Sequence, residues 1–148
     1  MRIAGSFRAL VIICFAGAAA ASLSGDPRPA DSILGEWRGT SICTNRELAP
    51  ACKDESIVYL FTPLPSDGAP KVHLDASKIV DGKAAPMGEF DLTWDAGDAS
   101  WSAEIRTPRV HALWSYTIDG DHLTGTLAEL PSKAQLRKVD ATRQTPSK

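Results

Sequence analysis

The chain has 148 residues, with 16 basic against 18 acidic side chains and a formal net charge of −2. That is one domain's worth of slightly acidic protein, without the clustered Lys/Arg footprint that nucleic-acid binding requires. Hydrophobic residues make up 43% of it, enough for a single buried core without metals or multiple staples.

Residues 1–21 have the three-part order of a secretory signal peptide. Arg2 and Arg8 give a positive start, an apolar run follows from Ala9 to Ala20, and Ala19 and Ala21 supply the small residues of a cleavage site. The run is shorter than the roughly 20 apolar residues a membrane span needs, so no stable membrane anchor is expected. Cys14 lies within it, behind Ile12 and Ile13 where lipoprotein processing requires a small residue, and is expected to leave with the peptide. The mature chain then begins near Ser22, in the periplasm or outside the cell. It keeps 14 basic residues (16 less Arg2 and Arg8) against 18 acidic.

Residues 22–31, with two prolines and a glycine, read as a flexible leader. The folded body is predicted over 32–140, and the polar segment 141–148 is expected to fray. Within the body, short alternating runs separated by turn residues give the strand signal. They are Ile33–Ile42, Ile57–Thr62, Lys71–Leu74, Ser77–Val80, and a run carrying Phe90, Leu92 and Trp94 on one face. Trp101–Ile105, Val110–Ile118, His122–Leu127 and Ala134–Val139 complete the series. Asp81-Gly82 is a hairpin signal between extended runs. No amphipathic helix of ten residues is apparent. Eight or nine strands in sequential hairpins predict an all-β fold, an up-and-down antiparallel meander closed as a barrel of about eight strands. A two-sheet sandwich is the alternative.

Cys43 and Cys52 survive cleavage of the signal peptide, and in an oxidising compartment an isolated pair predicts a disulfide. The eight residues between them, Pro50 included, fit a loop staple and not a redox Cys-x-x-Cys. Closing so short a loop is worth about 2–3 kcal/mol in the chain-entropy model.

The first strand reads Ile33-Leu34-Gly35-Glu36-Trp37-Arg38-Gly39-Thr40-Ser41. A Gly-x-Trp on the opening strand of a small β-meander resembles the lipocalins and the wider calycin superfamily. The stretch from Trp114 to Leu127 is similar to the late hairpin of bacterial lipocalin-like secreted proteins. The resemblance implies that Trp37 plugs the closed end of the barrel and that Gly35 permits close approach there. It also implies that a basic residue of the last strands, Arg137 or Lys138, packs across Trp37, a contact worth about 0.5–2 kcal/mol. Periplasmic metalloprotease inhibitors of lipocalin-like fold share the secreted address, the Gly-x-Trp start, a disulfide and a flexible leader. That likeness implies a protein partner, a protease, as the second functional reading.

Signs of catalysis are lacking. His73, His111 and His122 have no metal-pair spacing, and no Cys/His cluster accompanies them, so no metal is expected. No Gly-x-Ser-x-Gly elbow presents a serine and no glycine-rich loop cradles a phosphate. Asp119 and Asp121 belong to a turn, and the Asp54-Glu55 pair reads as solvated. The sequence therefore predicts a non-enzyme without cofactor. The aromatics carry more. Trp37, Trp94, Trp101, Trp114, Phe90 and Tyr116 all fall on apolar strand faces, joined by Tyr59 or its neighbour Val58. Rings of this size fill a small barrel or line a pocket for a small hydrophobic ligand. Phe90, Trp94, Trp101, Trp114 and Tyr116 are the candidate ligand wall, with Trp37 structural.

Overall fold

The structure is a computed structural model that describes residues 32–145; the expected signal peptide, leader and last three residues lie outside it. Its strands are β1 (Gly35–Cys43), β2 (Glu55–Leu64), β3 (Lys71–Val80), β4 (Lys83–Asp95), β5 (Ser100–Arg106), β6 (His111–Asp119), β7 (His122–Glu129) and β8 (Gln135–Arg143). Each pairs antiparallel with the next, and β8 returns to β1, closing the barrel. The meander barrel is thus the fold, and the sandwich is excluded. Among the described residues no helix is long and apolar enough to cross a membrane.

Alternation sends one face of each strand inward. Ile57, Tyr59 and Phe61 on β2, Val72, Leu74 and Ala76 on β3, and Trp101 and Ala103 on β5 are buried, as are Ala112, Trp114 and Tyr116 on β6. Closure of the barrel leaves no free sheet edge at the β1–β8 joint. There, Gly39 lies against β8 so closely that an added Cβ would stand 1.9 Å from the Asp140 carbonyl oxygen. Asp81 and Gly82 both have positive φ, +50° and +76°, the paired left-handed geometry of a two-residue hairpin turn.

Most strand ends fall within a residue or two of the sequence reading, and three places differ by more. The two brief runs Lys71–Leu74 and Ser77–Val80 are one strand, because β2 pairs with it continuously from Lys71 to Lys78. β4 starts at Lys83, well before Phe90. The segment expected to fray from residue 141 continues as β8 to Arg143, with Ala141 buried and paired to both Gly39 and Leu123.

Trp37 is fully buried at one end, its indole N–H donating to the Ile33 carbonyl at 2.8 Å. Across it lies a cation, but Arg143 and not Arg137 or Lys138: the Arg143 guanidinium stands 4.3 Å from the ring centroid. Register is the reason, since β8 places Arg143 directly opposite Trp37 and Arg137 opposite Cys43, six residues up the strand. Arg143 also donates to the carbonyls of Leu34 and Ser32, tying down the entry to β1. Gly35, at φ +108°, brings the chain against this group; its missing Cβ would stand 3.7 Å from Arg143 Nη1.

At the opposite end the predicted disulfide forms, Cys43 to Cys52 with an S–S distance of 2.03 Å. It staples the β1–β2 loop above the barrel mouth. Asp54 accepts from the Cys43 N–H at 2.8 Å, and that bond, with Arg46 alongside, holds its carboxyl below the usual carboxylate range.

Candidate functional site: the barrel mouth

The barrel wall is weakest between β4 and β5. That ladder holds three residue pairs, Thr93–Ser102, Trp94–Trp101 and Asp95–Ser100, and parts above them. On the other side of β4 the register shifts at Ala76/Ser77, where Met87 is left without a partner on β3. A bulge of this kind bends the strand and re-aims its side chains. Where the strands part, a cavity of about 330 Å³ opens into the mouth. Its apolar wall is Ala76, Met87, Phe90, Ile105, Trp114 and the ring of Tyr59; its polar side is Ser41, Glu55, Glu89 and Arg137.

Of the five residues expected on a ligand wall, the structure brings Phe90 and Trp114 into this cavity. Trp101 and Tyr116 are completely buried below it as filling, and Trp94 packs on Trp101 at 5.4 Å between ring centroids. Tyr116 stacks under Trp114, 5.5 Å between centroids and 11° between planes, and meets Tyr59 and Phe61 edge-on. Gly125 makes room for it: a Cβ there would stand 2.5 Å from the Tyr116 ring. Trp114 is therefore held flat from below while its upper face borders the cavity.

The polar side is built by alternation that the sequence reading missed. Glu55, beside Asp54 at the start of β2, is not solvated but shares the inward face of the strand with Ile57 and Tyr59. Only 19% of its side chain is exposed. Glu55 accepts from Arg137 at 3.3 Å and from Lys78 at 3.2 Å, and Lys78 lies inward because it pairs with Ile57. Arg137, expected over Trp37, is instead the hub of the mouth. Its Nε donates to Ser41 Oγ at 2.9 Å, and Nη2 donates to the carbonyls of Ser41 at 3.1 Å and Lys53 at 2.9 Å. Nη1 donates to the Cys52 sulfur at 3.1 Å. The guanidinium thus joins β8, β1, β2 and the stapled loop.

Burial pushes the Tyr59 hydroxyl up to about 12 and the Tyr116 hydroxyl well above 10, so both are neutral donors at any physiological pH. The Tyr116 hydroxyl is buried without a hydrogen-bond partner. Its polar neighbours are the Tyr59 hydroxyl, which also interacts with the Ser41 hydroxyl, and the Arg137 guanidinium.

One further concavity adjoins this one and another lies at the far end. A groove of about 380 Å³ runs between the stapled loop (Leu48, Pro50) and Val110, Leu127 and Leu136, and shares Arg137 with the cavity. A broader groove of about 680 Å³ lies at the closed end among Glu36, Arg38, Arg143 and Gln144. It is the larger space but lies outside the barrel, and the filled core separates it from the aromatic wall.

The histidines lie on the outer faces, each against a carboxylate: His73 to Asp91 at 2.7 Å, His111 to Glu104 at 2.6 Å and His122 to Asp140 at 2.9 Å. Cross-strand pairing, invisible in linear spacing, gathers His73, Asp75 and Glu89 so that one ligand-type atom of each lies within 4.8 Å of the others. The Asp91 hydrogen bond raises the His73 pKa above 6.5. The chain matches no protein-family profile and no curated protein sequence.

Proposed function

We propose that this chain is a secreted, periplasmic, lipocalin-like binding protein that holds a small planar apolar ligand in its barrel mouth and catalyses no reaction. One observation carries the reading: a cavity of about 330 Å³, walled by Phe90, Ile105, Met87 and a Trp114 fixed flat on Tyr116. That volume falls within the range typical of small-molecule sites, as does a mostly apolar wall with a few convergent polar groups. Stacking beneath Trp114 fixes its ring before binding, which lowers the ordering cost a ligand would face. The filled core below sets the size limit, so the ligand is a two-ring aromatic or a molecule of similar bulk, and not a long chain threaded through the barrel.

The test is titration of the full chain with naphthalene, followed by tryptophan fluorescence. Saturable quenching that Trp114→Ala abolishes in a folded variant supports the reading; unchanged affinity in that variant removes Trp114 from the site. The protease-inhibitor reading rests on residues 22–31, outside the described structure, and predicts that deleting them abolishes inhibition at unchanged thermal stability.

A further inference from the structure

We infer that the outer face of the barrel binds a divalent transition-metal ion of the zinc class, ligated by His73 and Asp75 of β3 and Glu89 of β4. Asp91 is the positioning residue behind the imidazole. The site stands apart from whatever fills the mouth, and it reverses the expectation, drawn from linear spacing, that the chain holds no metal.

Register brings the ligands together. His73 faces Asp91 and Asp75 faces Glu89 across the β3–β4 ladder, two successive outward rungs with the inward Leu74–Phe90 pair between them. His73 Nδ1 lies 2.7 Å from an Asp91 carboxylate oxygen. An ionised carboxylate only accepts, so Nδ1 carries the hydrogen and the lone pair of the neutral ring sits on Nε2. That nitrogen faces Asp75 Oδ1 at 3.6 Å and Glu89 Oε2 at 3.8 Å, and makes no hydrogen bond among the described residues. Three acceptors thus converge without a donor. A proton on Nε2 would reach neither oxygen at hydrogen-bond length. A metal ion reaches all three, because bonds of about 2.0–2.2 Å set tetrahedral ligands about 3.4 Å from one another. One ligating atom of each residue lies within 4.8 Å of the other two. The remaining gap closes by rotation of Glu89, whose side chain is 74% exposed.

The other two histidines provide the contrast. His111 and His122 each turn Nε2 onto one carboxylate, at 2.6 and 2.9 Å, and that bond occupies the nitrogen a metal would take. His73 alone gives its carboxylate Nδ1 and leaves Nε2 facing two more. A carboxylate on the far nitrogen is the arrangement that fixes the tautomer of a ligating imidazole and raises its basicity. Charge points the same way. Asp75 and Glu89 are like charges directly opposed across strands, which destabilises a sheet. Among the described residues, His73 is the one basic group within ion-pair distance of Asp75, Glu89 or Asp91, so three carboxylates share a single imidazole. A dication offsets that excess. The imidazole donor favours zinc and its transition-metal neighbours over magnesium and calcium, which take oxygen ligands. Glu89 also borders the mouth cavity, two residues from the unpaired Met87, so the ion clips the bulged stretch of β4 onto β3.

The experiment titrates the untagged full chain at neutral pH with zinc chloride alone, read by calorimetry and by the imidazole nitrogen signals of the three histidines in NMR. One zinc per chain is expected, shifting His73 Nε2 while Nδ1 keeps its proton and the His111 and His122 signals stay in place. Magnesium chloride should move none of them. His73→Gln and Glu89→Gln should each weaken zinc binding roughly tenfold or more, and His122→Gln should leave it unchanged. Glu89→Gln, at an exposed side chain, keeps the test decisive if His73→Gln fails to fold. Asp91→Ala keeps all three ligands and removes the acceptor on Nδ1. It should cost roughly tenfold in zinc affinity, and in the zinc-free variant the His73 hydrogen should no longer be confined to Nδ1. No saturable zinc binding, or binding that His73→Gln and Glu89→Gln leave intact, overturns the site. Equal losses in His73→Gln and His122→Gln would mean diffuse association with surface histidines and overturn it too. Unchanged affinity and tautomer in Asp91→Ala overturn the positioning role of Asp91.

Discussion

Arg143 gives the sharpest prediction about what holds the barrel shut. Replacing it by Met keeps the aliphatic stem over Trp37 but deletes the guanidinium. The loss has three parts. The cation–π contact at 4.3 Å on a fully buried indole is worth about 1–2 kcal/mol. The charge-assisted bonds to the Leu34 and Ser32 carbonyls are worth about 1.5–3 kcal/mol each before the carbonyls rehydrate. The ion pair to Asp121, whose side chain is 84% exposed, adds almost nothing. Leu34 and Ser32 are only half-buried, so water recovers much of the second part, and a net loss of about 3 kcal/mol remains. For a domain of this size that lowers the unfolding midpoint by about 10–15 °C. Thermal unfolding followed by near-ultraviolet circular dichroism reads it. Arg143→Lys keeps a charge over the ring but lacks the planar fork that reaches two carbonyls, and should recover less than half. A midpoint shift under about 3 °C for Arg143→Met, or full rescue by Lys, would refute this account of the closed end.

Three further outcomes follow from the packing and the titrations. Gly39→Ala drives a Cβ into the Asp140 carbonyl and Ala141 Cα, backbone that cannot yield without parting β1 from β8. It should cost more than about 3 kcal/mol by urea denaturation, at the upper end of overpacking. Tyr59 and Tyr116 are the chain's only tyrosines, and both are raised above 10 in the folded state. Their contribution to stability is therefore complete below pH 10 and lost as pH climbs past it toward about 12. Phenolate absorbance should thus rise together with unfolding; a rise near pH 10 with far-ultraviolet dichroism intact would contradict that. His73, raised by Asp91, stabilises fully below its unfolded value of 6.5, and the effect is lost as pH rises through the higher folded value. An NMR titration should show that elevation, and Asp91→Asn should bring it back toward 6.5.

Much of this architecture is legible in the linear chain because period-2 alternation is local. Ile57, Tyr59 and Phe61, or Trp114 and Tyr116, announce their inward face without knowledge of any partner strand. The Cys43–Cys52 staple and the Asp81-Gly82 turn are equally local. Depth along the barrel is not. Trp101 and Trp114 read alike in sequence, yet register sinks one into the core and sets the other beside the cavity. The exchange of roles between Arg137 and Arg143 has the same origin, since only the β1–β8 register decides which stands over Trp37. Glu55 and Lys78 were recoverable from alternation with their apolar neighbours, but charged residues at strand ends invite a solvated reading. Barrel closure turns those ends inward at the mouth.

The central claim, that the mouth and not the core receives a ligand, is tested most directly by the four indole N–H signals in an NMR titration with naphthalene. The account predicts a saturable shift of the Trp114 signal, while those of Trp37 and Trp101, buried below the cavity, remain in place. Movement of the Trp101 or Trp37 signal with Trp114 unmoved, or no saturable shift at all, would contradict it.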